Sequence, residues 1–161
     1  MPTLNATDLR TFIDTNGLKA TILPLSERTA TVDEAARALG VDTDQIIKSL
    51  VFILKGEPLL VINNGLARVD RRKLAKYLAV GRKKTKFASP EQALEITGFV
   101  VGSMPPFGHL TRLRTLVDSA VSDQEVIFGG GGDLNAMMRL TPEELMRVTG
   151  AESVALSEED A

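Results

Sequence analysis

Apolar positions along the chain recur with two spacings, one helical and one alternating, and capping or turn residues separate them. Near the N-terminus Leu9, Phe12 and Ile13 share a helical face, with Asn5 placed to cap it, Asp8 at the third helical position and Gly17 to stop it. Thr31 and Glu34 have capping-box spacing ahead of Ala35, Ala36 and Leu39, and Gly40 closes that run. Asp42 is placed to cap a short turn through Ile47. Asp70 opens a further helix to about Leu78, in which Leu74 and Tyr77 are predicted to face the core and the basic residues to face water. Ser89-Pro90-Glu91-Gln92 combines a cap, a proline at the first helical position and a glutamine at the third, and that helix ends near Gly98. Thr141-Pro142-Glu143-Glu144 opens the last helix, which stops by Gly150.

Between these lie strand-like runs. Residues 20–25 (ATILPL) form one; 48–54 (KSLVFIL) and 58–64 (PLLVINN) flank Lys55-Gly56-Glu57 and read as a hairpin. Further strands are predicted at 99–103, 113–118, 125–128 and 135–140. Long helices do not separate the strands regularly, so a doubly wound parallel sheet fits poorly. The expected fold is α+β: one domain over residues 1–155, with a mixed, largely antiparallel sheet surrounded by helices. The acidic end, residues 156–161, is expected to fray.

Composition narrows the chemistry. A length of 161 residues suits one domain with a substantial core, and 43% hydrophobic with 25% charged residues is ordinary for a globular protein. The chain has no Cys, which excludes disulfides, thiolate metal sites and a cysteine nucleophile. A single His argues against an all-protein zinc site and against a Ser–His triad, so no metal and no cofactor is expected. No apolar run approaches membrane-spanning length, and the start, MPTLNATDLRTF, lacks the basic and apolar segments of a signal peptide. A cytoplasmic protein without a membrane partner is expected.

The net charge of −2 conceals an asymmetry. Arg68, Arg71, Arg72, Lys73, Lys76, Arg82, Lys83, Lys84 and Lys86 are opposed only by Asp70, a local net charge of +8. Such a field suits a polyanion touched at one site, with Arg71, Arg72, Lys73, Lys76, Lys83 and Lys84 as candidate nucleic-acid contacts. It equally suits a solvated helix face followed by a lysine-rich loop.

Three places could carry chemistry. The first is Gly102-Ser103-Met104-Pro105-Pro106-Phe107-Gly108-His109, where two prolines stiffen the chain and Gly102 lets a ligand approach the backbone. Such rigidity is what catalysis by preorganised backbone groups needs, and a structural turn has the same composition. The second is Gly129 to Gly132 followed by Asp133, which is neither a P-loop nor a dinucleotide fingerprint; it either admits a ligand closely or turns the chain. Gly130 and Gly131 are its candidate contacts. The third is Lys48, a lone cation at the head of an apolar strand, which either reaches a phosphate or carboxylate or extends to solvent.

These places, in this order, resemble the YbaK/EbsC family, which is similar to the editing domain of bacterial prolyl-tRNA synthetases and includes free-standing deacylases. The resemblance runs from about Thr31 to Leu145 and comprises TVDEAARALGV, IIKSLVF, LLVINN, the SPEQ helix, VVGSMPPFGH, LRTLVD and IFGGGG with LNAMMRL. It implies that family's curved sheet and hydrolysis of the ester of a mischarged aminoacyl-tRNA, of the prolyl-tRNA type, releasing a small amino acid such as alanine or cysteine. It places the family's lysine at Lys48 and its Gly-x-x-x-Pro motif at Gly102 to Pro106, with Asp118 a secondary catalytic candidate because relatives often carry an acid there. Ser103, Met104, Phe107, Gly108 and His109 become candidate substrate contacts. Backbone groups are implied to steady the developing oxyanion, and in some members the substrate's own ribose hydroxyl or thiol makes the attack. Mischarged tRNA, tRNA(Pro) in particular, and a synthetase are the implied partners. The competing readings are a non-catalytic tRNA or nucleic-acid binding module and a small-molecule hydrolase.

Overall fold

The computed structural model describes residues 3–159. Among these residues five α-helices form: α1 (Ala6–Thr15), α2 (Val32–Leu39), α3 (Arg71–Leu78), α4 (Pro90–Thr97) and α5 (Pro142–Thr149). Each starts at the cap that the sequence marks. Asn5 accepts from the Thr7 and Asp8 amides while Asp8 returns a bond to the Asn5 amide. Ser89 and Gln92 make the same reciprocal pair. At Thr31 only one half of the box forms, the hydroxyl accepting from the Glu34 amide at 3.1 Å. These bonds satisfy donors that a helix leaves unpaired in its first turn.

The strands are β1 (Ala20–Pro24), β2 (Ile47–Leu54), β3 (Glu57–Asn64), β4 (Thr85–Phe87), β5 (Arg114–Asp118), β6 (Ile127–Gly130), β7 (Ala136–Leu140) and β8 (Glu152–Val154). They divide into two sheets. β1-β7-β6 is antiparallel throughout, whereas β4-β2-β3-β5-β8 is mixed, antiparallel around β2 and parallel where β5 meets β3 and β8. A bridge between Ile46 and Phe128 joins the sheets. The β2–β3 turn places Lys55 at φ +50° and Gly56 at φ +82°, the left-handed pair that matches strand twist in a tight hairpin.

β3 is buried on both faces. Leu60 and Ile62 join the main core, with Ile47 and Val51 of β2, Leu9 and Ile13 of α1 and Met138 of β7. Leu59 and Val61 face the opposite way, into a second cluster with Phe52, Leu116 and Leu74 of α3. A third cluster sets Ala35 and Ala36 of α2 on Phe128 and Met137. The five-stranded sheet is therefore the middle layer, and the smaller sheet has α2 on its outer face.

Three expectations change. Residues 99–103 are a turn, not a strand: Gly98 and Gly102 both hold positive φ, the Ser103 amide donates to the Val100 carbonyl, and Val100 and Val101 are exposed. Tyr77 lies on the surface with its hydroxyl donating to Glu152 at 2.8 Å, because Leu74 and Ala75 already fill the inward face of α3. The C-terminal segment does not fray from Leu156 to Glu158. Leu156 is fully buried, its amide and that of Ser157 donate to Asp118, and the Glu158 amide donates to the Arg68 carbonyl. Asp160 and Ala161 lie outside the described residues.

Candidate active site

A cleft of about 500 Å³ opens where the two sheets meet. Its floor is the edge of β2 from Ile46 to Val51, and its walls are the start of α2, the β4–α4 corner, the turn at Val101–Met104, and Gly130 with Met137 of the smaller sheet. The edge exists because β4 begins to pair with β2 only at Phe52. The Val51 carbonyl accepts from the Ala88 amide at 2.9 Å, and by strand alternation the N–H and C=O of Ser49 point to the same side. Among the described residues Ser49 has no backbone partner there, so a donor and an acceptor are offered to whatever enters.

Lys48 is the sole charged residue lining this cleft among the described residues. Its ammonium donates to the Ala67 carbonyl at 2.7 Å, and Asn63, its cross-strand neighbour, donates to the same carbonyl at 2.9 Å. Burial, and then the nearby Arg68 guanidinium, push the Lys48 amine below the usual lysine range. One of its three donors is used by Ala67, leaving two for an anionic or carbonyl oxygen. Arg68 lies close enough to act on Lys48 electrostatically but does not line the cleft.

The Gly102 turn faces the cleft from the other side. Gly102 holds φ +99°, and a Cβ there would point at Leu134 Cδ2 at 3.2 Å. The glycine is thus required by its backbone conformation, not by ligand space. Met104 also lines the cleft, but Ser103 does not: it is buried, its hydroxyl donates to the Val100 carbonyl at 2.8 Å, and its own carbonyl accepts from Gly132. Pro106, Phe107, Gly108 and His109 pass behind the turn and line a separate pocket of about 120 Å³ with Arg112. His109 Nε2 lies 2.8 Å from the Pro105 carbonyl and must donate to it, so that nitrogen is not free to act as a base. Burial pushes its imidazole below the usual histidine range, against the opposing hydrogen bond to Pro105, and so favours the neutral ring.

The glycine run locks the two sides together. Gly129 and Gly130 belong to β6, and a Cβ on Gly130 would collide with the Met104 carbonyl. On Gly131 a Cβ would lie 2.7 Å from the Ala136 carbonyl carbon, and the Gly131 amide donates to that carbonyl at 3.0 Å. Gly130 lines the cleft and Gly131 does not. Gly130→Ala is expected to cost about 1–3 kcal/mol by overpacking, lowering the melting temperature by several degrees in a thermal denaturation.

Asp118 is away from the cleft. It is 3% exposed, and its carboxylate accepts from the amides of Ala120, Leu156 and Ser157 at 3.1, 2.6 and 3.0 Å. It caps a turn and anchors the C-terminal segment. The basic candidates also divide. Arg71 donates to the Thr85 carbonyl, and Lys73 binds the Ser157 carbonyl at 2.9 Å and lies 3.7 Å from Glu159. Arg72, Lys76, Lys83 and Lys84 are exposed. Sequence reasoning missed Thr29, Thr31, Phe87 and Val101 among the lining residues. Of these only Phe87, an aromatic directly after the lysine run in an aromatic-poor chain, carries a signal that the sequence itself offers.

The family model for the aminoacyl-tRNA editing domain matches residues 26–148, which contain every element of the cleft. The chain belongs to the aminoacyl-tRNA editing domain family. Editing is hydrolysis of the ester between amino acid and tRNA, so the protein is of the deacylase class. Among curated relatives, the uncharacterized protein YwhH of Bacillus subtilis is 32% identical over 117 residues, 72% of this chain and 73% of its own. A proline–tRNA ligase of Lactiplantibacillus plantarum is 32% identical over 114 residues, 70% of this chain but only 20% of the ligase. The matched stretch is thus about a fifth of that ligase. A crystal structure described as a proposed trans-editing enzyme for prolyl-tRNA synthetase superposes with a TM-score of 0.89 at 33% identity, covering 96% of this chain and 97% of that one.

Proposed function

We propose that this editing domain acts in trans on tRNA(Pro) carrying a small, wrongly attached amino acid, alanine or cysteine, and hydrolyses the ester in the Lys48–Gly102 cleft. The observation that carries the reading is that Lys48 and Gly102, far apart in sequence, line one largely apolar cleft whose lining holds no other charge among the described residues. Such a lining suits a short uncharged side chain and offers a cationic one only the like charge of Lys48. A synthetase pocket discriminates a missing methylene by only about 1–3 kcal/mol, so a second, smaller site is needed to remove the wrong residue. The relatives named as proline–tRNA ligases support proline as the identity being protected.

The catalytic division of labour follows from what lines the cleft. With no Cys, and with the single His held behind the turn, the attacking oxygen comes from water, which the substrate's own ribose hydroxyl helps to orient; the amino acid leaves as its carboxylate and the ribose oxygen takes the proton. The Gly102 N–H makes no backbone hydrogen bond among the described residues, which supports assigning it as the donor to the developing oxyanion. Lys48 supplies positive charge from the floor of the cleft. Pro106 touches no substrate; it holds the turn from behind. The test is deacylation of alanyl-, cysteinyl- and seryl-tRNA(Pro) beside prolyl-tRNA(Pro). Release of the small residues with prolyl-tRNA spared is expected, whereas tRNA binding without hydrolysis would favour a binding module.

The tRNA body is held by charge, and the exposed Arg72, Lys76, Lys83 and Lys84 are the contacts. Reversing all four to Glu is expected to weaken tRNA binding at least about tenfold at low salt and to flatten the dependence of log Kd on log salt. Reversing Arg71 instead is expected to disturb the fold, since its guanidinium holds the Thr85 carbonyl. An unchanged salt slope in the quadruple variant would place the RNA surface elsewhere.

A further inference from the structure

Phe87 is an aromatic ring left largely in water at the mouth of the cleft. It is 54% exposed in a chain with only 4% aromatic residues, and it lines the same cavity as Lys48 and Gly102. The ring is not loose. Phe52 and Phe87 are register partners between β2 and β4, with ring centroids 4.3 Å apart at 32°, and Phe52 itself is only 1% exposed. One side of the Phe87 ring is therefore braced by the core while the rest meets solvent. Val101, 58% exposed, lines the cleft from the Gly102 turn. The adjoining chain is strongly cationic: Arg82, Lys83, Lys84 and Lys86 are all exposed.

A braced, exposed aromatic beside a cationic stretch is how proteins hold an unpaired base. The ring supplies a stacking platform, and the cations follow the phosphates that lead to it. We infer that Phe87 stacks on the terminal adenine of the tRNA and so positions the ribose ester between Lys48 and Gly102. The inference rests on the editing reading and adds to it the residue that recognises the nucleoside. Because a phenyl face takes any base, Phe87 acts as a positioning residue, contributing to how tightly and how well oriented the end is held.

The test is a cycle between residue and base. Hydrolysis is measured for wild type, Phe87→Ala, Phe87→Leu and Phe87→Trp on mischarged tRNA with a normal 3′ end and on the same tRNA with the terminal base removed. Phe87→Leu keeps an apolar cover over Phe52 while losing the ring, so a structural role would leave it near wild type. Phe87→Ala and Phe87→Leu are expected to raise KM about tenfold on the normal end with kcat within a few fold, and Phe87→Trp to retain wild-type KM. On the abasic end all four proteins are expected to converge. Wild-type KM in Phe87→Leu, or an undiminished effect of the substitutions on the abasic end, overturns the stacking role and leaves the editing reading standing. Absence of hydrolysis by the wild type on any mischarged tRNA overturns both.

Discussion

Lys48→Ala is expected to lower kcat/KM for deacylation about a hundredfold, or about 2.7 kcal/mol of barrier, while the protein stays folded. The asymmetry comes from the side chain's surroundings. The ammonium shares the Ala67 carbonyl with Asn63, so removing Lys48 leaves that acceptor with a donor. Removal also relieves a cation that sits half-buried beside Arg68. Little stability is therefore at stake. For the reaction the loss is larger, because among the described residues Lys48 is the lone charge lining the cleft and the ester oxygens become more negative as water adds. Lys48→Arg is expected to restore charge but not geometry, since a planar fork replaces a compact ammonium on the Ala67 carbonyl. A folded Lys48→Ala protein with wild-type kcat/KM would remove Lys48 from the mechanism.

Gly102→Ala and Pro106→Ala are each expected to reduce single-turnover hydrolysis by at least about tenfold, or about 1.4 kcal/mol in barrier. They act differently. At φ +99° an alanine is strained, and its Cβ would press on Leu134, so the turn must shift and take the Gly102 N–H with it. Pro106 is buried, and its ring lies against Gly129, where a Cβ would meet Pro106 Cδ at 3.6 Å. Truncating Pro106 loosens the support behind the turn and returns φ freedom to it. Ser103→Ala and His109→Ala are expected to cost less activity, because one side chain bonds the Val100 carbonyl and the other the Pro105 carbonyl. Circular dichroism beside the kinetics separates a shifted turn from a lost fold. Abolition by His109→Ala with near wild-type rates in Gly102→Ala would replace the backbone mechanism with a general base at His109.

What the sequence revealed, and what it did not, divides along local and non-local physics. Asn5 with Asp8 and Ser89 with Gln92 mark helix starts because capping involves residues three apart, and Lys55-Gly56 marks a hairpin because two left-handed residues suffice to turn it. The parallel pairing of β5 with β3 and β8 has no such local sign. The three residues of β8 are a strand through their pairing with β5, beside which Arg114 binds Glu152 at 2.9 Å and Asp118 holds the Leu156 amide, contacts that join residues far apart in sequence. The run 99–103 looks like a strand by its valines, and the two glycines bounding it decide otherwise.

The site follows the same division. Lys48 and Gly102 could be singled out because a charge in an apolar strand and a glycine before Pro-Pro are unusual locally. Asp118 could not be told apart from a catalytic acid until its amide partners were placed. Arg71 and Lys73 look like Arg72 and Lys83 in a sequence, and only the fold brings the Thr85 and Ser157 carbonyls to them.

Titration with a 3′-aminoacyl-adenosine whose ester is replaced by a stable amide tests most directly whether the cleft is the editing site. Backbone amide shifts followed by NMR locate the ligand without requiring turnover. The largest changes are expected at Ser49, Gly102 and Gly130, which line one cleft from three separate segments of the chain, and little change at Gly108 and Arg112 behind the turn. Changes centred on Gly108 to Arg112, with Ser49 and Gly102 unmoved at saturation, would contradict that assignment of the site.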